Sequence, residues 1–345
     1  MLPFKLVYSD DYYLPIGAHV FPAAKYRMIH KRLLETGVAE PGDFVVPKPA
    51  TDEDILRVHT REYVQKLKNG TLSALEEMQM EIPYSPELVN AFWLAAGGSI
   101  LAADLALRDG LAINIGGGFH HAFPDHGEGF CVVNDVAVAI KRMHQEGKLT
   151  RAMTVDLDVH NGNGTAAIFP PRGQRQAGES KTRVGHPLPS ASASRRDLHT
   201  ANVEEHHSGD GQLEVFTISL HQAHNYPLQK PPSSIDVHLP DATNDEEYLG
   251  WLDQSLSSAF RHFQPELICY LAGADPYKED QLGGLALTIP GLKKRDELVM
   301  RVARAHKVPV MITYAGGYAR RVEDTVTIHC NTVIAAKEVC TRPHH

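Results

Sequence analysis

The sequence predicts an α/β fold built on a parallel sheet with helices on both faces. Two observations predict it. Short, almost uninterrupted apolar runs recur along the chain, bounded by glycine or polar residues, and such runs read as strands buried on both sides. Longer segments with helical spacing and capping signals separate them. Strands joined through helices run parallel within one sheet. No linker or internal repeat divides the 345 residues, so residues 1–345 read as one domain.

The elements follow in order. Lys5 to Tyr8 is a first strand, and Ala23 to Thr36 a helix stopping near Gly37. Thr51 and Asp54 form a capping box before a short helix. A second short helix starts at Thr60 and stops at Asn69-Gly70. Ser85-Pro86-Glu87 opens a long helix, with serine as N-cap and proline in the first turn. It runs to Arg108, and its Gly97-Gly98 pair predicts close packing against another backbone. Strands then alternate with helices: strand Leu111–Ile115, helix Asn134–Gly147, strands Met153–Leu157 and Val215–Leu220, helix Asp245–Phe263, strand Leu267–Ala272, helix Leu292–His306, strand Val308–Thr313, helix Val322–Val339. Residues 170–213 break this rhythm. They hold no Phe, Tyr or Trp and are crowded with Arg, Ser, His and Pro, which predicts a flexible insertion between two core strands.

Composition narrows the function. Apolar residues make up 43% and charged residues 22% of the chain, as in soluble globular proteins. A formal charge of −8 argues against direct nucleic-acid binding, which needs clustered Lys and Arg. No run looks long enough to cross a membrane, and acids occupy the N-terminal region where a signal peptide would be apolar. The four cysteines, Cys131, Cys269, Cys330 and Cys340, form no CxxC pair, so reduced thiols and a cytoplasmic location are expected.

Loops at the carboxyl ends of parallel strands converge on one crevice. The first such loop carries His120 and His121, the second Asp158 and His160, the third Asp275 and the fourth Tyr318. In an extended DLDVH segment Asp156, Asp158 and His160 would share one face. With Asp275 they offer oxygen and nitrogen donors for a divalent ion while leaving coordination positions open. An adjacent histidine pair in a glycine-rich loop suits proton transfer. Asp156 and Asn163 are candidates to orient its outer nitrogens. Tyr318, after two glycines, can stabilise an oxyanion. Phe130 suits the wall of a narrow channel. Capped strand ends, structural histidines and core aromatics are the plainer alternatives for each of these taken alone.

GGGFHHA, GFCVVND, DLDVHNGNG, AGADPYKEDQLGG and AGGY, in this order, resemble the zinc-dependent histone deacetylase superfamily, most closely its class IV and bacterial members. The resemblance covers nearly the whole chain outside 170–213. It implies an arginase-deacetylase fold with a central, mostly parallel eight-stranded sheet. It implies Zn²⁺, with Fe²⁺ as an alternative, on Asp158, His160 and Asp275. It makes His120 and His121 the catalytic pair, Asp156 the partner of the first, Tyr318 the oxyanion stabiliser, and Gly129 and Phe130 the acyl-lysine tunnel. It further implies K⁺ near Asp156, Asp158, His160, Ser219 and Leu220. The implied reaction is hydrolysis of an N-acyl-lysine amide in a protein or peptide. A small acylated amine such as an acetylpolyamine, a ureohydrolase of the arginase type, and an acyl-lysine-binding module with weak catalysis are the alternatives. Asn163 sits where many relatives carry aspartate. Two further departures stand out: Asn161 occupies a position where relatives usually carry His or Gln, and more than forty residues intervene after Pro170 where relatives have a short loop.

Overall fold

A computed structural model describes residues 1–171, 199–200 and 211–342 of the chain. The elements are β1 (Lys5–Val7), α1 (Lys25–Glu35), β2 (Phe44–Val45), α2 (Asp52–Ile55), α3 (Arg61–Asn69), α4 (Ala74–Met80), α5 (Pro86–Asp109), β3 (Leu111–Asn114), α6 (Asp135–Gln145), β4 (Arg151–Asp156), α7 (Asn163–Ile168), β5 (His199–Thr200), β6 (Glu214–Gln222), β7 (Ile235–Leu239), α8 (Asp245–His262), β8 (Leu267–Leu271), α9 (Ile289–Ala305), β9 (Val310–Thr313) and α10 (Val322–Thr341). The described strands form one sheet in the order β2-β1-β3-β9-β8-β4-β6-β7-β5. Eight of them run parallel, as expected, and only the two-residue β5 is antiparallel, against β7.

The central strands β3, β4, β8 and β9 are almost wholly buried, consistent with helices covering both faces. The capping signals work as read. Thr51 and Asp54 form a reciprocal capping box, and Ser85 caps α5 through the Leu88 amide. Three short strands escaped the sequence reading. β2 has two residues, β7 alternates buried with less buried positions, as a strand with one face toward solvent does, and β5 lies inside the expected insertion. Residues 172–198 and 201–210 of that insertion fall outside the described residues.

Helix α5 requires two corrections. It is long and apolar enough to cross a membrane by length and composition, contrary to expectation, yet 78% of its most apolar window is buried inside the fold; burial makes it the core helix. Its glycines also differ. A Cβ at Gly97 would meet the Lys48–Ala50 backbone, whereas at Gly98 it would meet the Tyr12 hydroxyl. Only the first packs against backbone.

Chain order and sheet order diverge where it matters. Between β3 and β4 in the sheet lie β9 and β8. The loops after β8 and β9, distant in sequence, are thereby interleaved with those after β3 and β4.

Candidate active site

The last ladder bond joining β4 to β8 is donated by the Leu157 amide to Leu271 O at 3.1 Å. Beyond it the two strands part and their loops open a crevice. Strand β4 itself ends at Asp156, so Asp158 and His160 lie on a turn and not on one strand face as expected. Backbone donors bring them together instead. The His160 amide donates to Asp158 Oδ1 at 2.9 Å, and the Val159 amide to Asp275 Oδ1 at 2.9 Å. The Gly316 amide, from the loop after β9, donates to Asp158 Oδ2 at 2.7 Å.

Asp158, His160 and Asp275 are all buried, and their donor atoms lie within 4.8 Å of one another. His160 Nδ1 is 2.9 Å from Asp158 Oδ1 and 3.4 Å from Asp275 Oδ2. Asp275 Oδ2 is buried without a hydrogen-bond partner, an orphaned acceptor that a cation would satisfy. Metal–ligand distances of about 2.0–2.2 Å around one ion require donor separations of this size. The three residues therefore fit a divalent ion. Their electrostatics show the same deficit of positive charge. Burial, then the Asp158 charge, push the Asp275 carboxyl up to about 7. Burial opposes protonation of His160, but the adjacent Asp158 and Asp275 carboxylates outweigh it and raise the ring to about 10.

The histidine pair sits on a loop pinned from below. Asp135, at the start of α6, accepts the Gly118 amide at 3.0 Å and the Phe119 amide at 2.8 Å. His120 Nδ1 is 2.7 Å from Asp156 Oδ2, His121 Nδ1 is 2.6 Å from Asn163 Oδ1, and the two Nε2 atoms are 3.1 Å apart. These neighbours titrate in opposite directions. Burial would lower His120, but Asp156 and Asp158 prevail and push it up to about 9. Burial holds His121 well below the usual range, helped by His120 and His160. Asn163, being neutral, does not reverse this.

A cavity of about 170 Å³ holds His121, His160 and Tyr318 in its wall, with Gly129, Phe130 and Tyr226. The Phe130 ring stands 6.0 Å from Tyr318, and the Tyr226 ring 5.0 Å from His121, both edge-on. Gly129 has φ +52, and a Cβ there would sit 2.8 Å from the His121 ring and 2.9 Å from Tyr226; a side chain would close the channel. Tyr318 is held by its backbone, whose amide donates to Asp280 Oδ2 at 2.6 Å while its carbonyl accepts from Gln281 Nε2 at 2.9 Å. Burial pushes its phenol well above the usual range, keeping the hydroxyl protonated as a donor.

Ser219 and Leu220 lie on β6. Ser219 pairs in register with Asp156, and its Oγ is 2.8 Å from His221 Nδ1. Neither lines the cavity.

The histone deacetylase domain family matches residues 19–333. This chain belongs to the histone deacetylase family. An uncharacterised protein of Picosynechococcus sp. is 36% identical over 97% of this chain and 99% of its own length. Histone deacetylase 2 of Arabidopsis thaliana is 30% identical over 93% and 77%. A solved histone deacetylase homologue complexed with SAHA aligns over 99% of this chain and 85% of that one, at 23% identity and a TM-score of 0.72. A crystal structure of such a homologue from Aquifex aeolicus aligns to the same extent, at 22% identity and the same TM-score. These two likenesses establish the shared arginase-deacetylase fold.

Within this deacetylase fold the sequence reading missed Tyr226 and Arg295. Tyr226 had a signal: it follows β6, and the rule that strand ends carry chemistry applies there too. Arg295 had none. It is a fully buried arginine on α9 whose Nη1 donates to Leu157 O at 3.2 Å and Gly273 O at 2.6 Å. Both carbonyls lie just past the ladder, beside the metal-ligating candidates. Asp296 Oδ1 accepts Arg295 Nε at 2.9 Å and its Oδ2 accepts the Thr332 hydroxyl at 2.6 Å.

Proposed function

We propose that the protein hydrolyses N-acyl-lysine amides with a divalent ion, Zn²⁺ in the first instance, held by Asp158, His160 and Asp275. One observation carries this reading: His121, His160 and Tyr318 line one cavity flanked by aromatic rings, with Asp158 and Asp275 clustered on His160 and His120 against His121. The bound ion would supply a Lewis acid for the acyl carbonyl and acidify water. The chain's own groups do the rest. Phe130 and Tyr226 flank an aliphatic side chain and exclude water from it. His121 Nε2 takes the proton of the attacking water as general base. The Tyr318 hydroxyl donates to the oxygen that becomes negative. His120, kept cationic by Asp156, steadies that charge and supports proton delivery to the leaving amine. The products are a carboxylate and free lysine.

A small acylated polyamine is a second reading. Glu81 lines the same cavity, and burial, then the charge of a second carboxylate, Glu128, raise the Glu81 pKa; a cationic substrate suits such walls. K⁺ beside Asp156 and Ser219 belongs to the proposal as a structural ion. The test is hydrolysis by purified protein of lysines bearing acetyl to long-chain acyl groups, and of acetylated polyamines, with and without chelator. Hydrolysis that chelator stops and Zn²⁺ restores is expected. Failure on every amide at full zinc loading rejects the reaction.

A further inference from the structure

We infer that Glu128 is a positioning residue that locks Asn163, and through it the His121 ring, so that His121 Nε2 stays free to accept a proton. The inference rests on His121 being the base, but its structural part stands by itself. Asn163 lies between two groups. Its Nδ2 donates to Glu128 Oε1 at 2.6 Å, and its Oδ1 is 2.6 Å from His121 Nδ1. A carboxylate only accepts hydrogen bonds, so the amide must turn its NH₂ toward Glu128. The carbonyl oxygen then faces the imidazole and can only accept. His121 Nδ1 must therefore carry hydrogen. A neutral imidazole carries hydrogen on one nitrogen only, so Nε2 is then the bare one.

Without Glu128 the choice is open. An asparagine beside a neutral imidazole satisfies both groups in either orientation, oxygen to N–H or NH₂ to bare nitrogen. Only the first gives a base at Nε2. An aspartate at position 163 would decide the matter itself; asparagine needs a carboxylate behind it. Glu128 supplies one. Bonds from His126, Tyr226 and Asn163 outweigh its burial and hold it below the usual carboxylate range. The Tyr226 hydroxyl donates to the same Oε1 at 2.9 Å while its ring stands edge-on to His121. Glutamate, tyrosine, histidine and asparagine thus close a loop of contacts around one side of the cavity. On the other side His120 Nε2, its ring oriented by Asp156 at Nδ1, faces the bare His121 Nε2 at 3.1 Å.

The test is ¹⁵N NMR of the zinc-loaded, histidine-labelled full chain, with the His121 ring assigned from a His121→Gln variant, read beside steady-state kinetics. Wild type is expected to show His121 as the Nδ1–H tautomer alone. Glu128→Ala should populate the Nε2–H tautomer and lower kcat about tenfold or more, with KM within about threefold and zinc content unchanged. Adding Asn163→Asp to Glu128→Ala should restore the tautomer and most of kcat, which a merely structural glutamate would not allow. Glu128→Gln, nearly isosteric, should populate both tautomers and serves if the alanine variant misfolds. A glutamate variant that keeps only the Nδ1–H form, or a double variant that fails to regain it, overturns the inference. If wild type hydrolyses no amide, the reaction proposed above fails, whereas the tautomer measurement still decides this one.

Discussion

The two halves of the site are held by different kinds of bond. At the strand ends, Asp158 and Asp275 are fixed by the main-chain amides of Val159, His160 and Gly316, and Arg295 grips two carbonyls behind them. At the channel wall, Glu128, Asn163, Tyr226 and His121 hold one another side chain to side chain, and Glu128 and Tyr226 are only partly buried. A scaffold of backbone bonds moves only if the sheet moves. A scaffold of side chains can be rearranged one substitution at a time. Metal affinity and turnover should therefore be separable in this protein.

The largest effect belongs to the strand ends. Asp275→Ala should abolish stoichiometric zinc and lower hydrolysis at least about a thousandfold; metal analysis and the acyl-lysine assay read both, and retained zinc would break the separation. Next comes His121→Ala, expected to lose about 10²–10⁴ in kcat with zinc content unchanged. If zinc were lost as well, the loop half would not be independent. Tyr318→Phe should cost about 10²–10³ in kcat with little change in KM, as removal of an oxyanion donor does. The smallest effect sharpens the contrast from behind. Arg295→Lys keeps the charge but not the rigid guanidinium that holds Asp296 through Nε while its Nη1 reaches Leu157 O and Gly273 O. Zinc affinity, measured by chelator competition, should fall about 10–100-fold, while kcat at saturating zinc changes far less. Val299→Ala, a buried neighbour on the same helix, should lower thermal stability without weakening zinc, showing that the loss is specific to Arg295.

Much of this was legible before any coordinates. Helix starts are written in local chemistry, so Thr51, Ser85 and Asn134 mark them directly. The apolar runs of β3, β4, β8 and β9 could hardly lie anywhere but in a two-sided sheet. What local pattern could not reveal were strands as short as β2, whose two residues carry no periodicity, and the turn that replaces an extended strand after Asp156. The candidate ligands followed from where strands end, and the same rule would have found Tyr226. Glu128 stood in plain view inside GEGFC, but its significance depends on Asn163, thirty-five positions away.

The sequence by itself determined the alternation of elements, the donors that could bind a metal, and which histidines stand side by side, because those depend on neighbours within a few residues. Only tertiary structure decided that the loops after β8 and β9 fall between those after β3 and β4, and that Glu128 reaches Asn163. Strand order is set by how helices and strands bury apolar surface across the whole chain, and no short stretch of residues carries that information.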